Sequence, residues 1–190
     1  MERAFGEFLA RFKQPEVEEG QEEAVCQNGN YVDKVPIADV IKEGTTYVGV
    51  LFTAHYCPPC TRFCEPLKAF YEEFSKDDKF ALIVVNCDKR EKEYAECIKD
   101  LPWPAIPYHC TELAEKLEDK AEASTLPKLA VFSVDKGFSS CLMKDIKNIV
   151  LKSIPPSEQV DMAEQRLAEA LETFQPVEEE NEQPEEVNEE

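Results

Sequence analysis

The chain has 190 residues, 43% of them apolar, which suffices for one domain with a sizeable core plus some unstructured length. Its formal charge at pH 7 is −19, and the last fifteen residues, PVEEENEQPEEVNEE, supply eight Glu and no Lys or Arg. So acidic a chain repels phosphate backbones, which argues against nucleic acid as a partner, and no apolar run approaches the ~18 residues of a membrane span.

Met1 to Pro15, MERAFGEFLARFKQP, has charges inside its apolar pattern and lacks the ~7–15-residue hydrophobic centre of a secretory signal. A cytoplasmic location is therefore expected, where structural disulfides are rare. Phe5, Phe8, Leu9 and Phe12 fall at helical spacing and predict an amphipathic helix over 2–13. With the acidic connector EVEEGQEE, this makes residues 1–20 a segment ahead of the main domain at 21–174, and 175–190 a disordered acidic tail. Asn28-Gly29 between two short apolar runs signals a hairpin.

Residues 46–54, TYVGVLFTA, are apolar almost throughout and suit a strand covered on both faces. Cys60, Phe63, Cys64, Leu67, Phe70, Tyr71 and Phe74 recur at three and four, predicting a helix over 59–75 with Pro66 as a point of kinking. FALIVVNCD, 80–88, is a second buried strand; 89–99 is a charged helix; LPWPAIPY, 101–108, is a loop. A helix at 111–119 opens with Thr111 as its N-cap. KLAVFSV is a third strand, Asp135-Lys136-Gly137 a turn, and FSSCLMK an antiparallel edge strand. Ser157 caps a last helix striped by Val160, Ala163, Leu167, Leu171 and Phe174. The order βαβαα–ββα predicts an α/β fold with helices crossing over the faces of a central sheet. Active groups in such sheets sit at the carboxyl ends of central strands, and Cys57 lies just beyond one.

Of eight cysteines, only Cys57-Pro58-Pro59-Cys60 has a spacing that asks for chemistry; Cys26, Cys64, Cys87, Cys97, Cys110 and Cys141 are expected to be reduced and partly buried. Three readings compete for the pair: half of a metal site, inert thiols, or a redox dithiol. A structural zinc site needs four Cys or His ligands. The chain has no second Cys-x-x-Cys, His55 and His109 stand alone, and Cys64 extends the run only to three, so no metal is expected. Cys57 falls in a strand-to-helix turn, where unpaired amides and the helix dipole favour an anion. A thiol of pKa about 8.5 is only about 3% thiolate at pH 7, and lowering it to about 7 makes it half ionised. One exposed thiolate and one shielded partner are what disulfide exchange requires. Pro58 and Pro59 stiffen the turn but withhold two amides, so the prolines and the helix terminus act in opposite directions.

FTAHYCPPCTRFCEPLKAFYEEF resembles the active-site segment of the tryparedoxin and nucleoredoxin branch of the thioredoxin-like superfamily, with Thr61 to Leu67 and Phe70-Tyr71 filling the places that follow its Cys-Pro-Pro-Cys. NCDKREKEYAECIKDLPWPAIPY is similar to that branch's Asp-led helix and Pro-Trp loop, with Trp103 and Pro107 matching and Tyr108 replacing Phe. TLPKLAVF matches the loop whose cis-proline, here Pro127, faces the cysteines. The resemblance spans about 25–150 and implies a thioredoxin-like three-layer sandwich, a central mixed sheet with helices on both faces.

It further implies Cys57 as nucleophile and Cys60 as resolving thiol, reducing protein disulfides without cofactor and recharged by a dithiol or reductase donor. Tyr56, Pro58, Pro59, Trp103, Leu126 and Pro127 are the expected substrate contacts, with core packing the alternative for Trp103. Pro127 also opens a buried strand, a place where cis geometry is the usual reason for proline. Two departures stand out: Tyr56 replaces the branch's Trp, and Leu51 stands where many thioredoxins bury an Asp, leaving the proton acceptor for Cys60 unassigned. A different class of function, a thioredoxin-like adaptor with vestigial redox activity, remains open on the acidic extensions.

Overall fold

The computed structural model describes residues 2–13, 31–138 and 141–153. The Asn28-Gly29 turn, the acidic connector, the Ser157 helix and the acidic tail lie outside these residues.

The centre is a four-stranded mixed sheet in the order β4-β3-β5-β6, built from β3 (Tyr47–Thr53), β4 (Phe80–Asn86), β5 (Lys128–Ser133) and β6 (Cys141–Met143). β3 runs parallel to β4, from Tyr47↔Phe80 to Thr53↔Asn86, and antiparallel to β5, from Tyr47↔Ser133 to Phe52↔Lys128. The return through α3 (Pro58–Phe74) makes the parallel pairing possible, since parallel neighbours need a crossover. β6 closes one edge, antiparallel to β5.

The unalternating apolar runs find their reason in two cores, one on each face. Val48, Val50 and Phe52 point with Ile83, Val85 and Phe132 toward Leu117 and Ala121 of α5 (Thr111–Ala121). Leu51, Leu82 and Val84 point the other way, toward Phe63, Leu67 and Phe70 of α3 and toward Tyr94 and Ile98 of α4 (Glu91–Lys99). Each strand alternates faces with period two, so a fully apolar strand must be covered twice. α6 (Lys147–Lys152), not foreseen in the sequence, adds Val150 to the second core. The result is the three-layer arrangement of a thioredoxin-like fold.

The N-terminal segment departs from expectation. Only Glu2–Phe5 is helical (α1); Gly6 follows at φ 82, and Phe8–Phe12 forms a strand, β1. A left-handed residue ends the helix, and Gly accepts that conformation without penalty. β1 pairs antiparallel with β2 (Val32–Pro36), so the partner of the segment after Asn28-Gly29 is the N-terminal strand. Ala105, within the expected loop, then bridges β1 to β4: Ala10 and Ala105 exchange both backbone bonds at 2.7 and 2.8 Å, and the Ile106 amide donates to the Val84 carbonyl at 2.8 Å. Phe5, Phe8, Leu9 and Phe12 fit period 3.6 better than period 2, and backbone groups waiting at Ala105 and β2 override that pattern in favour of the strand. Pro36 is followed by one short turn of helix, α2 (Ile37–Val40), which sets Ile37 into the first core.

Two smaller points also differ. Cys110, not Thr111, is the N-cap of α5, and its side chain makes no capping bond. Pro66 lies inside α3 on the buried side, and the helix continues through it to Phe74.

Among the described glycines, Gly49 in β3 leaves the least room for a side chain. A Cβ there would lie 2.7 Å from Phe80 Cζ and 3.5 Å from Leu129 Cδ1. Gly49→Val is expected to lower the unfolding free energy by about 1–3 kcal/mol through overpacking, read from the urea midpoint; an unchanged or raised midpoint contradicts this packing.

Candidate active site

β3 delivers Ala54, His55 and Tyr56 to the carboxyl end of the sheet, and α3 starts at Pro58 with Cys57 as its N-cap. Cys57 and Cys60 are joined as a disulfide, with Cα atoms 5.3 Å apart. Cys57 is 8% exposed and Cys60 2%. His55, Tyr56, Pro58 and Pro59 are exposed around them, Tyr56 at 64%.

The opening turn of α3 leaves few donors for a thiolate. Pro58 and Pro59 carry no N–H, and the Cys60 and Thr61 amides both donate to the Cys57 carbonyl, at 2.9 and 3.3 Å. The Cys57 amide in turn donates to the Ala54 carbonyl at 3.2 Å. The turn is thus held by its own backbone, and the amides that the helix terminus would offer an anion are already engaged.

Leu126 packs against the small cluster of Ala54, Cys57 and Cys60, and the Leu126–Pro127 peptide is cis. The antiparallel register places the start of β5 beside the end of β3, which is why Leu126 meets Cys57 despite their distance in sequence. Tyr56, Pro58 and Pro59 thus flank the disulfide in the chain, and Leu126, followed by Pro127, reaches it from β5. Trp103 is not among them: at 3% exposure it lies in the second core, its ring edge-on to Tyr71 at 5.8 Å. Tyr108 hydrogen-bonds through its hydroxyl to the Lys89 carbonyl at 2.7 Å.

Three residues that the sequence reading left without a role at the site stand beside it. Cys87, just past β4, packs on the disulfide cluster, and its thiol donates to Glu118 of α5 at 3.5 Å. Asp88 is buried, and its Oδ2 accepts the His55 amide at 2.7 Å and Asn86 Nδ2 at 2.6 Å. The signal for these was present: Asn86-Cys87-Asp88 ends the second buried strand, at the same edge of the sheet as Cys57.

Three thiols outside the pair, Cys64, Cys87 and Cys97, are held protonated by burial. Burial pushes Cys64 up to about 11, and the Cys64 thiol donates to the Cys60 carbonyl at 3.3 Å. Burial, with Glu118 next in weight, pushes Cys87 up to about 12, and burial does the same to Cys97. The Tyr56 hydroxyl, though exposed, is also raised, by partial desolvation and then by Cys87, Asp88, Glu118 and Glu93. Among the described residues no three His, Cys, Asp or Glu side chains converge as a metal site, and no helix is long and apolar enough to cross a membrane.

A mixed sheet with a Cys-x-x-Cys disulfide at the start of the crossover helix, facing a cis-proline, defines the thioredoxin-like class. Residues 44–138, half of the chain, match the family model described as Thioredoxin-like, and the chain belongs to that family. Within it the chain lies on the branch shared by nucleoredoxins and tryparedoxins. It is 35% identical over 97 residues to "Probable nucleoredoxin 3" of Oryza sativa subsp. japonica, covering 47% of this chain and 20% of that protein. It is 27% identical over 90 residues to the tryparedoxin of Trypanosoma brucei brucei, covering 47% of this chain and 62% of that one. The chain thus spans a fifth of the length of the rice nucleoredoxin it matches. Native tryparedoxin I from Crithidia fasciculata shares the fold, with a TM-score of 0.59 at 23% identity over 77% of this chain and 85% of that one. Thioredoxin from Wuchereria bancrofti superposes with a TM-score of 0.55 at 28% identity, over 75% of this chain and 91% of that one.

A thiol of pKa about 11 is about 0.1% ionised at pH 8. In the reduced protein, limiting iodoacetamide at pH 8 is expected to label Cys57 well ahead of Cys64, Cys87 and Cys97, read by peptide mass spectrometry; faster labelling of any of the three contradicts the assignment.

The same shifts govern alkaline stability. The unfolded chain releases these protons near the ordinary 9.0, while the fold holds them to about 11 or 12. The stability they contribute is present below pH 9 and lost as pH rises through that window. The urea midpoint should therefore fall above pH 9, and replacing Cys64, Cys87 and Cys97 by Ala should flatten the decline; an equally steep fall in that variant refutes the cause.

Proposed function

We propose that the chain is a thiol–disulfide oxidoreductase that reduces protein disulfides through a Cys57/Cys60 dithiol cycle. The observation that carries this reading is the asymmetry of the pair: Cys57 at the mouth of the helix among exposed residues, Cys60 one turn inside and 2% exposed. The Cys57 thiolate attacks a substrate disulfide, forming a mixed disulfide and releasing one substrate sulfur, which takes up a proton. Cys60 then gives up its proton and attacks Cys57 Sγ. The second substrate thiol leaves, and the Cys57–Cys60 bond is restored with two electrons passed on. A dithiol or reductase donor returns the pair to the reduced state. The cycle needs neither metal nor organic cofactor.

The exposed surface around the sulfurs serves as the docking site. Tyr56, Pro58 and Pro59 flank Cys57, and the Leu126–Pro127 segment offers backbone to an extended substrate strand. Tyr56 supplies an aromatic contact with a hydroxyl and so sets partner preference. Trp103 takes no part in this surface: its ring is buried in the second core against Tyr71, toward the end of α3 remote from the cysteines.

Insulin-disulfide reduction with a dithiol donor tests the reading. Wild type should reduce insulin, and Cys57→Ser should fall to the donor's background rate. A wild type no faster than Cys57→Ser would replace the enzyme with the adaptor reading. Cys60→Ser should stall as a mixed disulfide visible by mass, and its absence would deny Cys60 the resolving step.

A further inference from the structure

Asp88 is the only Asp or Glu buried among the described residues, at 7% exposure, and it lies at the candidate site. Its Oδ2 accepts the His55 amide and Asn86 Nδ2, and its own amide donates to Asn86 Oδ1 at 2.9 Å. Oδ1 has no hydrogen-bond partner. Among the described residues no Lys, Arg or His forms an ion pair with it. A buried carboxylate with one oxygen unpaired and no cation is costly, so its persistence at this place asks for a reason.

His55 belongs to the loop that carries Tyr56 and Cys57 out of β3. Asp88 therefore ties this loop down through its backbone and sets a carboxylate without an ion-pair partner against the His55 amide. The opening turn of α3 does not offset that charge, because its amides are absent at Pro58 and Pro59 and engaged with the Cys57 carbonyl at Cys60 and Thr61. Other groups face the same loop. Glu118 from α5 accepts the Cys87 thiol, Glu93 from α4 pairs with Arg90, and the Cys97 thiol bonds Asn86 and Thr53. Asp88 differs from the other carboxylates in being buried and bonded to the loop itself.

We propose, on the reading that Cys57 and Cys60 form a redox dithiol, that Asp88 is a positioning residue that keeps this dithiol a reductant. Its carboxylate anchors the His55 amide, and its charge disfavours the Cys57 thiolate. Whatever disfavours the thiolate destabilises the reduced form relative to the disulfide, and a destabilised dithiol gives up its electrons more readily. The neighbouring groups respond in the same sense. After burial, for Tyr56 after Cys87 and for Cys87 after Glu118, the Asp88 charge is among the causes that raise Tyr56, Cys87 and Cys97.

Asp88→Asn removes the charge at nearly constant size and tests the inference in the full chain. The first readout is the pH profile of Cys57 alkylation by iodoacetamide, in a Cys60→Ser background so that one thiol of the pair reports. Its midpoint should move to lower pH by about half a unit. The second is equilibrium with glutathione in the intact pair, where two glutathiones give up two electrons and join as one disulfide while Cys57–Cys60 opens to the dithiol. At a pH above both midpoints this equilibrium should shift about threefold toward the dithiol, equivalent to about 15 mV. Asp88→Ser, a second neutral variant with an oxygen for the His55 amide, should move both readouts the same way if Asp88→Asn folds poorly. A midpoint that stays or rises in both variants overturns the role of Asp88. Neither readout uses a protein substrate. Insulin inactivity with the shifts present would therefore sink the assigned function and leave this inference standing.

Discussion

Every feature of the candidate site depends on β3 being paired along both sides, parallel to β4 and antiparallel to β5. The parallel partner brings Asn86, Cys87 and Asp88 to the edge where Cys57 emerges. The antiparallel partner brings its beginning, Leu126 and Pro127, to that same edge. Three stretches distant in sequence are thereby gathered within reach of one disulfide, and no loop has to span the gap. A slip of one residue in either register would turn the two cores inside out, since Val48, Val50 and Phe52 would exchange faces with Leu51. Hydrophobic burial on two faces thus guarantees the register that builds the site.

The electrostatics around the sulfurs run against the simplest reading of a helix terminus. A cysteine at an N-cap is ordinarily favoured as an anion by free amides. Here two prolines remove the first of these amides, and the Cys57 carbonyl takes the next two. On the other side stand carboxylates: Asp88 beneath the loop, and Glu118 bonded to the Cys87 thiol. The Cys57 sulfur therefore stands at a muted helix terminus, on a loop whose His55 amide is bonded to a buried carboxylate. The remaining thiols nearby are kept from competing by their burial.

The central fold was legible because its signals were redundant. β3, β4 and β5 were each marked by apolar runs too uniform for a one-sided strand, and α3 by seven residues at helical spacing. The N-terminal strand was not legible. Phe5, Phe8, Leu9 and Phe12 satisfy a helical stripe, and only the positive φ at Gly6 and the waiting backbone of Ala105 show why the helix stops after Phe5. Trp103 was ambiguous in sequence for a related reason: a proline-rich loop suggests a surface, yet Ala105 pins this one between two strands and turns the indole inward.

The sequence by itself determined the chemistry that the chain can attempt. Cys57-Pro58-Pro59-Cys60 after a buried strand and before an amphipathic helix specifies a disulfide at a helix start, because both the helix phase and the proline geometry are local. Only the tertiary structure decided the surroundings of those sulfurs: Asp88 under the loop, Cys87 against the disulfide, Leu126 and Pro127 across from it. These contacts join strands that meet through sheet pairing, and a pairing partner is chosen by the whole core rather than by any stretch of neighbouring residues.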